Sequence, residues 1–313
     1  MFIAVDLNAI ETRVAAYLSG CQPLLQVFYE NRDPYLDFAN KMTGIMYDKL
    51  AKDLKSKDPA VKAAAKGHRQ IAKPGVLGCV YRLGAGQLGM NKHGDQVKSG
   101  LWGYSENMGV TMSQEKAQEV VQVFRQAYPE ICQSWYALEE AVSDVLKGQR
   151  VKRELGPDGC IKIDKIPNGD SVILRIELPS GRKLHYLEAE IKQTKMPWTK
   201  IDDQGKEQPV YKPTLNYASV DQETKQWGYT TSHGGKIFEN IVQGTARDVL
   251  ACAMLRFEEW HLKIVAHVHD EIIVESDTDE LKLAEEIMSR PVDWAPGLPL
   301  AAEGWRGKYY RKG

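Results

Sequence analysis

Three features of this 313-residue chain predict an α+β fold. Two β-branched runs flank a polar tripeptide near the C-terminal end. A strand passing directly into a helix opens the chain. Between these, long helical periodicities give way to a stretch in which apolar residues alternate.

The tripeptide is His269-Asp270-Glu271, set between Ile264-Val265-Ala266-His267-Val268 and Ile272-Ile273-Val274-Glu275. This is the pattern of a tight hairpin whose strands lie in a sheet and whose turn carries carboxylates. A turn of this kind suits a metal ion, although His-Asp-Glu alone is more often a solvated loop. What strengthens the metal reading is Phe2-Ile3-Ala4-Val5-Asp6, a second strand ending in an acid. Two-metal sites for in-line phosphoryl transfer take carboxylates from separate strands to hold ions about 3.5–4 Å apart. Asp6 and Asp270 are the candidates.

Length suggests about two domains, and 43% hydrophobic content is ordinary for a soluble globular protein. No run of 18 apolar residues and no signal-peptide pattern occurs, so a cytoplasmic protein without a membrane partner is expected. The five cysteines are an odd number without Cys-x-x-Cys spacing, which argues against a disulfide framework or a zinc site. A net charge of −1 argues against broad electrostatic binding of nucleic acid while leaving a local groove possible.

In chain order, residues 2–19 read as strand then helix, with Ile10, Val14, Tyr17 and Leu18 at helical spacing. Asn8 is the expected N-cap, and Glu11, three residues on, reads as a capping-box carboxylate. Residues 41–82 carry ten Lys or Arg against three Asp. Within them Arg69, Lys73, Leu77 and Tyr81 fall four apart, one stripe on a helix that suits a nucleotide, with phosphates at the cationic end. Pro74 and Gly75 interrupt it, so either a kink or a helix beginning near Pro74 is expected. Gly84-Ala85-Gly86-Gln87-Leu88-Gly89 has Gly-x-Gly-x-x-Gly spacing, but it follows no strand and reads as a flexible turn. Residues 113–146 are helical with a break at Pro129. Residues 151–232 suggest short antiparallel strands, and a helix resumes at Gly235 with Gln243 on it. The tail after Pro299 ends in a basic, aromatic run that either touches a phosphate or lacks order.

Together these segments resemble a known family. Asp6-Leu7-Asn8-Ala9-Ile10-Glu11-Thr12-Arg13 resembles motif A of family A DNA polymerases. Arg69-x3-Lys73-x3-Leu77-Gly78-x2-Tyr81 resembles motif B, and His269-Asp270-Glu271 resembles motif C. Gln243-Gly244-Thr245-Ala246 resembles the helix preceding motif C. The motifs occur in order over nearly the whole chain, and the phage branch is the most similar.

The resemblance implies a right-hand polymerase fold: palm from residues 1–40 and 236–313, fingers from 41–150, and a β-rich insertion at 151–235. It implies two Mg²⁺ held by Asp6 and Asp270, with Glu271 as an auxiliary acid, acting on dNTPs and primer-template DNA. Arg69 and Lys73 would bind the triphosphate, and Lys73 would protonate pyrophosphate. Tyr81 would sit at the template base, Glu11 would exclude a 2′-hydroxyl, and Arg13, Gln243 and His269 would contact primer or template. Tyr35 stands where many members have a triphosphate-assisting His, Leu77 where Phe or Tyr is usual, and Arg82 where Gly is usual.

Motif A begins five residues after Met1, without the thumb and exonuclease that precede it in the family. The expectation is the polymerase half of a split phage enzyme, partnered by a separate polypeptide, or a truncated chain. Alternative readings are a single-subunit RNA polymerase, which Glu11 disfavours, and a non-catalytic nucleic-acid-binding remnant.

Overall fold

Phe2 to Leu7 is apolar at every position but Asp6, as a strand covered on both faces must be. It forms β1 (Phe2–Leu7), with Ile3, Ala4, Val5 and Leu7 buried and Asp6 exposed. The computed structural model describes residues 1–90, 94–221 and 224–310. The protein divides into two compact units, Met1–Cys132 with Val242–Gly313, and Gln133–Ile241.

In the first unit the chain passes from β1 into α1 (Ile10–Ser19). Its cap is not Asn8 as expected but Ala9, in the left-handed region at φ 49° and without a side-chain bond. Asn8 is held by its backbone instead: its N–H donates to Ala301 O at 2.9 Å and its carbonyl accepts from Arg13 Nε at 2.7 Å. The helices α2 (Gln22–Tyr29), α3 (Pro34–Thr43) and α4 (Tyr47–Leu54) follow. Asp33 caps α3 by accepting from the N–H groups of Tyr35 and Leu36.

Asp58 and Pro59 start α5 (Pro59–Cys79), which is one helix through Pro74. A helix beginning near Pro74 is therefore not realised. Pro74 is buried, and a Cβ at Gly75 would come within 2.6 Å of Val120 Cγ1 and 3.0 Å of Phe38 Cε1. The Pro-Gly pair gives up one hydrogen bond and a side chain in exchange for close packing on Phe38 and Val120. Because α5 ends at Cys79, Tyr81 lies in the turn after the helix, not on the helical stripe. Arg82 follows at φ 68°, a conformation that glycine would adopt freely.

The short strands β2 (Leu88–Met90) and β3 (Gln96–Lys98) pair antiparallel and lead into α6 (Gly100–Asn107) and α7 (Gln114–Ala127). The glycine-rich segment before them is the turn expected, tied back to the start of α6 and to α7 by hydrogen bonds. Leu101 N and Trp102 N donate to Gly84 O and Ala85 O, and Gln114 Nε2 donates to Gly86 O. Phe38, Phe124 and Tyr128 pack edge-on or tilted, with centroids 5.1–6.1 Å apart. They lie at the centre of the helical part.

After α8 (Pro129–Leu146) the second unit is a six-stranded antiparallel meander in sequence order. Its strands are β4 (Lys152–Leu155), β5 (Ile161–Asn168), β6 (Ser171–Glu177), β7 (Lys183–Ile201), β8 (Glu207–Val220) and β9 (Trp227–Ser232). The alternation seen in the sequence buries Ile161, Ile163, Leu174 and Ile176 on one side. Across the β5–β6 pair, Arg175 donates to both oxygens of Asp164 at 2.7 Å.

The chain returns through α9 (Gly234–Glu259) to β10 (Lys263–Val268), β11 (Glu271–Glu275), α10 (Leu281–Met288) and β12 (Ala302–Gly307). In the first unit's sheet the order is β10-β11-β1-β12, all antiparallel. The basic, aromatic tail thus contains a strand paired with β1, where a phosphate contact or disorder was expected; its last residues, 311–313, lie outside the described residues. The cysteines are free, with Cys21 and Cys79 buried. Among the described residues no helix is long and apolar enough to cross a membrane.

Candidate active site

The sheet register brings the acids together. Asp6 on β1 lies opposite Glu271 on β11 and opposite Glu303 on β12, and directly opposed residues share a face. Asp270 occupies the two-residue turn of the β10–β11 hairpin, after His269 at φ 57°. Its carbonyl accepts from Leu7 N at 3.3 Å, tying the turn to the end of β1. These acids line a cleft of about 460 Å³ with Asn8, His269 and Trp305.

Partial burial in the cleft, the charge of Asp270, a hydrogen bond shared with Asp270 and the charge of Glu271 push the Asp6 carboxyl up to about 7. Since Asp6 is exposed at the surface, its carboxylate neighbours are the more telling of these causes. Glu271 accepts from Tyr310 at 3.1 Å through Oε2, while its buried Oε1 has no partner. Among the described residues no group of three or more His, Cys, Asp or Glu side chains is placed to hold a metal ion. Two carboxylates and an unpartnered third oxygen fit instead a hard cation that completes its shell with substrate oxygens, as Mg²⁺ does.

A second cluster forms at α5. Arg69 Nε donates to Asp33 Oδ2 at 2.7 Å, and the Tyr35 ring lies 5.1 Å from the Arg69 guanidinium and 5.9 Å from Lys73 Nζ. Asp33, which the sequence reading did not single out, is at once the cap of α3 and the counter-ion of Arg69. Burial pushes the Tyr35 hydroxyl up to about 12, and the charges of Arg69, Asp33 and Glu11 reach it. Tyr81 donates to Glu11 Oε2 at 2.8 Å, so Glu11 is bound across the chain and is not a capping-box carboxylate. Leu77 is half-buried on α5, and Lys73 is exposed.

The structure also separates residues that the sequence grouped. Arg13, expected at primer or template, is 7% exposed. Its guanidinium donates to Asn8 O and Pro299 O and lies 4.4 Å from the Phe28 ring, holding loops together. Gln243 is exposed on α9, and His269 is exposed in the hairpin turn. Glu303 and Tyr310 were missed: they follow from the pairing of β12, for which Ala302-Glu303-Gly304 gives almost no local signal.

No family model matches the chain. Over 99% of its length it is 32% identical to a protein named DNA polymerase from Bacillus phage SP02, of which it spans 41%. It is 23% identical to the thermostable DNA polymerase I of Thermus aquaticus, over 92% of this chain and 24% of that one. The thermostable DNA polymerase I of Thermus thermophilus is also 23% identical, over 97% and 26%. Among solved structures, the POL domain of Pol1 from M. smegmatis in complex with DNA primer-template and dNTP matches with a TM-score of 0.49 and 16% identity, over 98% of this chain and 39% of that one. The chain therefore spans well under half the length of its curated relatives, and over that span it is similar to part of a phage DNA polymerase and to part of two thermostable DNA polymerases I.

Proposed function

We propose that the chain carries out template-directed DNA synthesis, transferring a nucleotide from a dNTP to a primer 3′-hydroxyl. The observation that carries this reading is the meeting of Asp6 and Asp270 at one end of the β1–β11 pair, with Glu271 beside them. Residues 1–40 and 236–313 act as palm, 41–150 as fingers and 151–235 as an inserted β-rich layer.

Two Mg²⁺ held by Asp6 and Asp270 would favour the primer alkoxide and neutralise charge on the phosphates. The primer 3′-hydroxyl gives its proton to water, and its oxygen bonds to the α-phosphorus as the bond to pyrophosphate breaks. Arg69 and Lys73, steadied over Tyr35, hold the triphosphate, and Lys73 delivers a proton to the departing pyrophosphate. Glu11, fixed by Tyr81, occupies the space of a 2′-hydroxyl, and Leu77 packs on the sugar. Tyr81 meets the template base, while Gln243 and His269 remain exposed to reach primer or template; Arg13 positions the Asn8 loop instead.

Because the chain corresponds to 41% of its phage relative, we propose that it acts with the rest of a polymerase, thumb and proofreading parts included, on the same or a separate polypeptide. On this reading it works in the cytoplasm, the host's if the chain is phage-encoded. The test is primer extension with Mg²⁺ and dNTPs, by the chain alone and with the upstream parts of its relatives supplied, beside Asp270→Ala. Extension that falls by about 10³-fold or more in the variant is expected from the loss of a metal ligand. A folded chain inactive in both settings would overturn the proposal, and equal use of ribonucleotides would remove the role of Glu11.

A further inference from the structure

The inner end of α5 accounts for only half of its cationic face. At about 100° per residue, Lys62, Lys66, Arg69 and Lys73 fall within a stripe about 60° wide, running about 16 Å along the helix. Arg69 and Lys73 belong to the cluster with Asp33 and Tyr35. Lys62 and Lys66 are exposed, and among the described residues neither side chain has an ion pair, hydrogen bond or ring contact. Several lysines on other helices are neutralised locally, Lys49 by Asp53, Lys116 by Glu119 and Lys236 by Glu239, whereas among the described residues Lys282 on α10 stands alone and away from any such stripe. Acids at the start of α5 and on the neighbouring helices α3 and α4 are already engaged. Asp58 caps α5, Asp53 holds Lys49, and Asp37 holds Arg32 and Lys41.

We propose that Lys62 and Lys66 form an outer phosphate station on α5 that draws the triphosphate of the incoming nucleotide toward Arg69 and Lys73, and takes up inorganic pyrophosphate as it leaves. The nature of the ligand rests on the polymerase reading above. Lys66 and Lys62 lie about 4.5 and 10.5 Å along the axis from Arg69, a separation comparable to the screening length of about 8 Å in physiological salt. A phosphate seated on Arg69 is thus within their field but beyond contact with Lys62. Their action is on capture and release, and it weakens with ionic strength.

The test is calorimetric binding of inorganic tripolyphosphate to the full chain in about 20 and about 200 mM salt. Lys62→Glu/Lys66→Glu is compared with Lys282→Glu on α10, a charge reversal of an exposed lysine elsewhere. The double variant is expected to bind about tenfold more weakly at low salt and about two- to threefold at high salt, with Lys282→Glu near wild type. Lys62→Ala/Lys66→Ala, which keeps strong helix formers, should show about half the logarithmic loss. In primer extension KM for dNTP should rise by the same factor with kcat unchanged.

Unchanged binding in both double variants, or an equal loss in Lys282→Glu, would overturn the station. So would weakened primer-template binding with tripolyphosphate binding intact, which would make this face a DNA-backbone contact. Salt-dependent loss of tripolyphosphate binding in a chain that never extends a primer would keep the station and overturn the polymerase reading instead.

Discussion

The Asp6 cleft and the Arg69 end of α5 both concentrate like charges, and they differ in what surrounds them. Arg69 has Asp33 at 2.7 Å and the Tyr35 ring beside it, so the cations rest on a local counter-charge and an aromatic face. Asp6 faces Asp270, Glu271 and Glu303, none of which has an ion pair among the described residues, and Glu271 keeps a buried oxygen without a partner. At the cationic end Arg69 is already matched by Asp33 before any ligand arrives, and among the described residues the Lys73 side chain rests on the Tyr35 ring alone. The acidic end holds repulsion that a cation would relieve, so the side chains that lower the stability of the metal-free protein are the ones a bound cation would stabilise.

Asp6→Asn tests this contrast most severely. It should abolish Mg²⁺-dependent extension, by about 10³-fold or more, while making the metal-free protein more stable at pH 8. The sign follows from the raised carboxyl. Between its ordinary value of 3.8 and about 7, the folded state holds the proton more tightly than the unfolded chain. Wild-type stability therefore falls as pH rises through that window, and the cost is fully present above about 7. Discounted for solvent screening of an exposed group, it is on the order of 1–2 kcal/mol. Urea melts at pH 5 and 8 should show the wild type losing this stability and the variant not; parallel losses would break the comparison.

At the other end, Asp33→Ala removes both a helix cap and a counter-ion and should cost about 1–2 kcal/mol in urea melts. Asp33→Asn keeps a capping oxygen, so it should cost less while lowering KM for dNTP by a few fold, because Arg69 is released toward phosphate. An unchanged KM in a stable Asp33→Asn variant would mean that the pair is structural only. Arg82→Gly relieves a left-handed arginine at the end of the motif and should raise stability by about 1 kcal/mol, read as an increase in Tm. The smallest effect is expected from Leu77→Phe, a shift of a few fold in the ratio of dideoxy- to deoxynucleotide incorporation. An unchanged ratio would remove Leu77 from the sugar contact.

Much of this arrangement was legible in the sequence. The two apolar runs around His269-Asp270-Glu271 are strands because β-branched residues in period fit a packed sheet, and the hairpin register follows from so short a turn. Arg69, Lys73 and Leu77 share a helix face because spacing by four requires it. What escaped was non-local. Ala302-Glu303-Gly304 has no strand preference of its own and becomes β12 only because β1 offers an open edge, so Glu303 and Tyr310 carried no signal. Ala9 caps α1 in a left-handed conformation because Ala301 and Arg13 hold the Asn8 backbone, a constraint supplied from the far end of the chain. Arg13 matches a motif by type and position, yet burial against Phe28 decides what it touches.

The pairing of β1 with β11 and β12 also fixes a schedule. Asp6 meets its partners Glu271 and Glu303 across a gap of some 265 to 297 residues in the chain. A ribosome adding about 5–20 residues per second releases β1 many seconds before the strands that flank it. Throughout that interval the apolar run Phe2-Ile3-Ala4-Val5 lacks its β11 and β12 partners and is a target for chaperones or for stray edge pairing. Closing so long a loop then makes the last sheet contacts slow. The acidic centre cannot assemble during most of synthesis, so a nascent chain does not yet bring these carboxylates together.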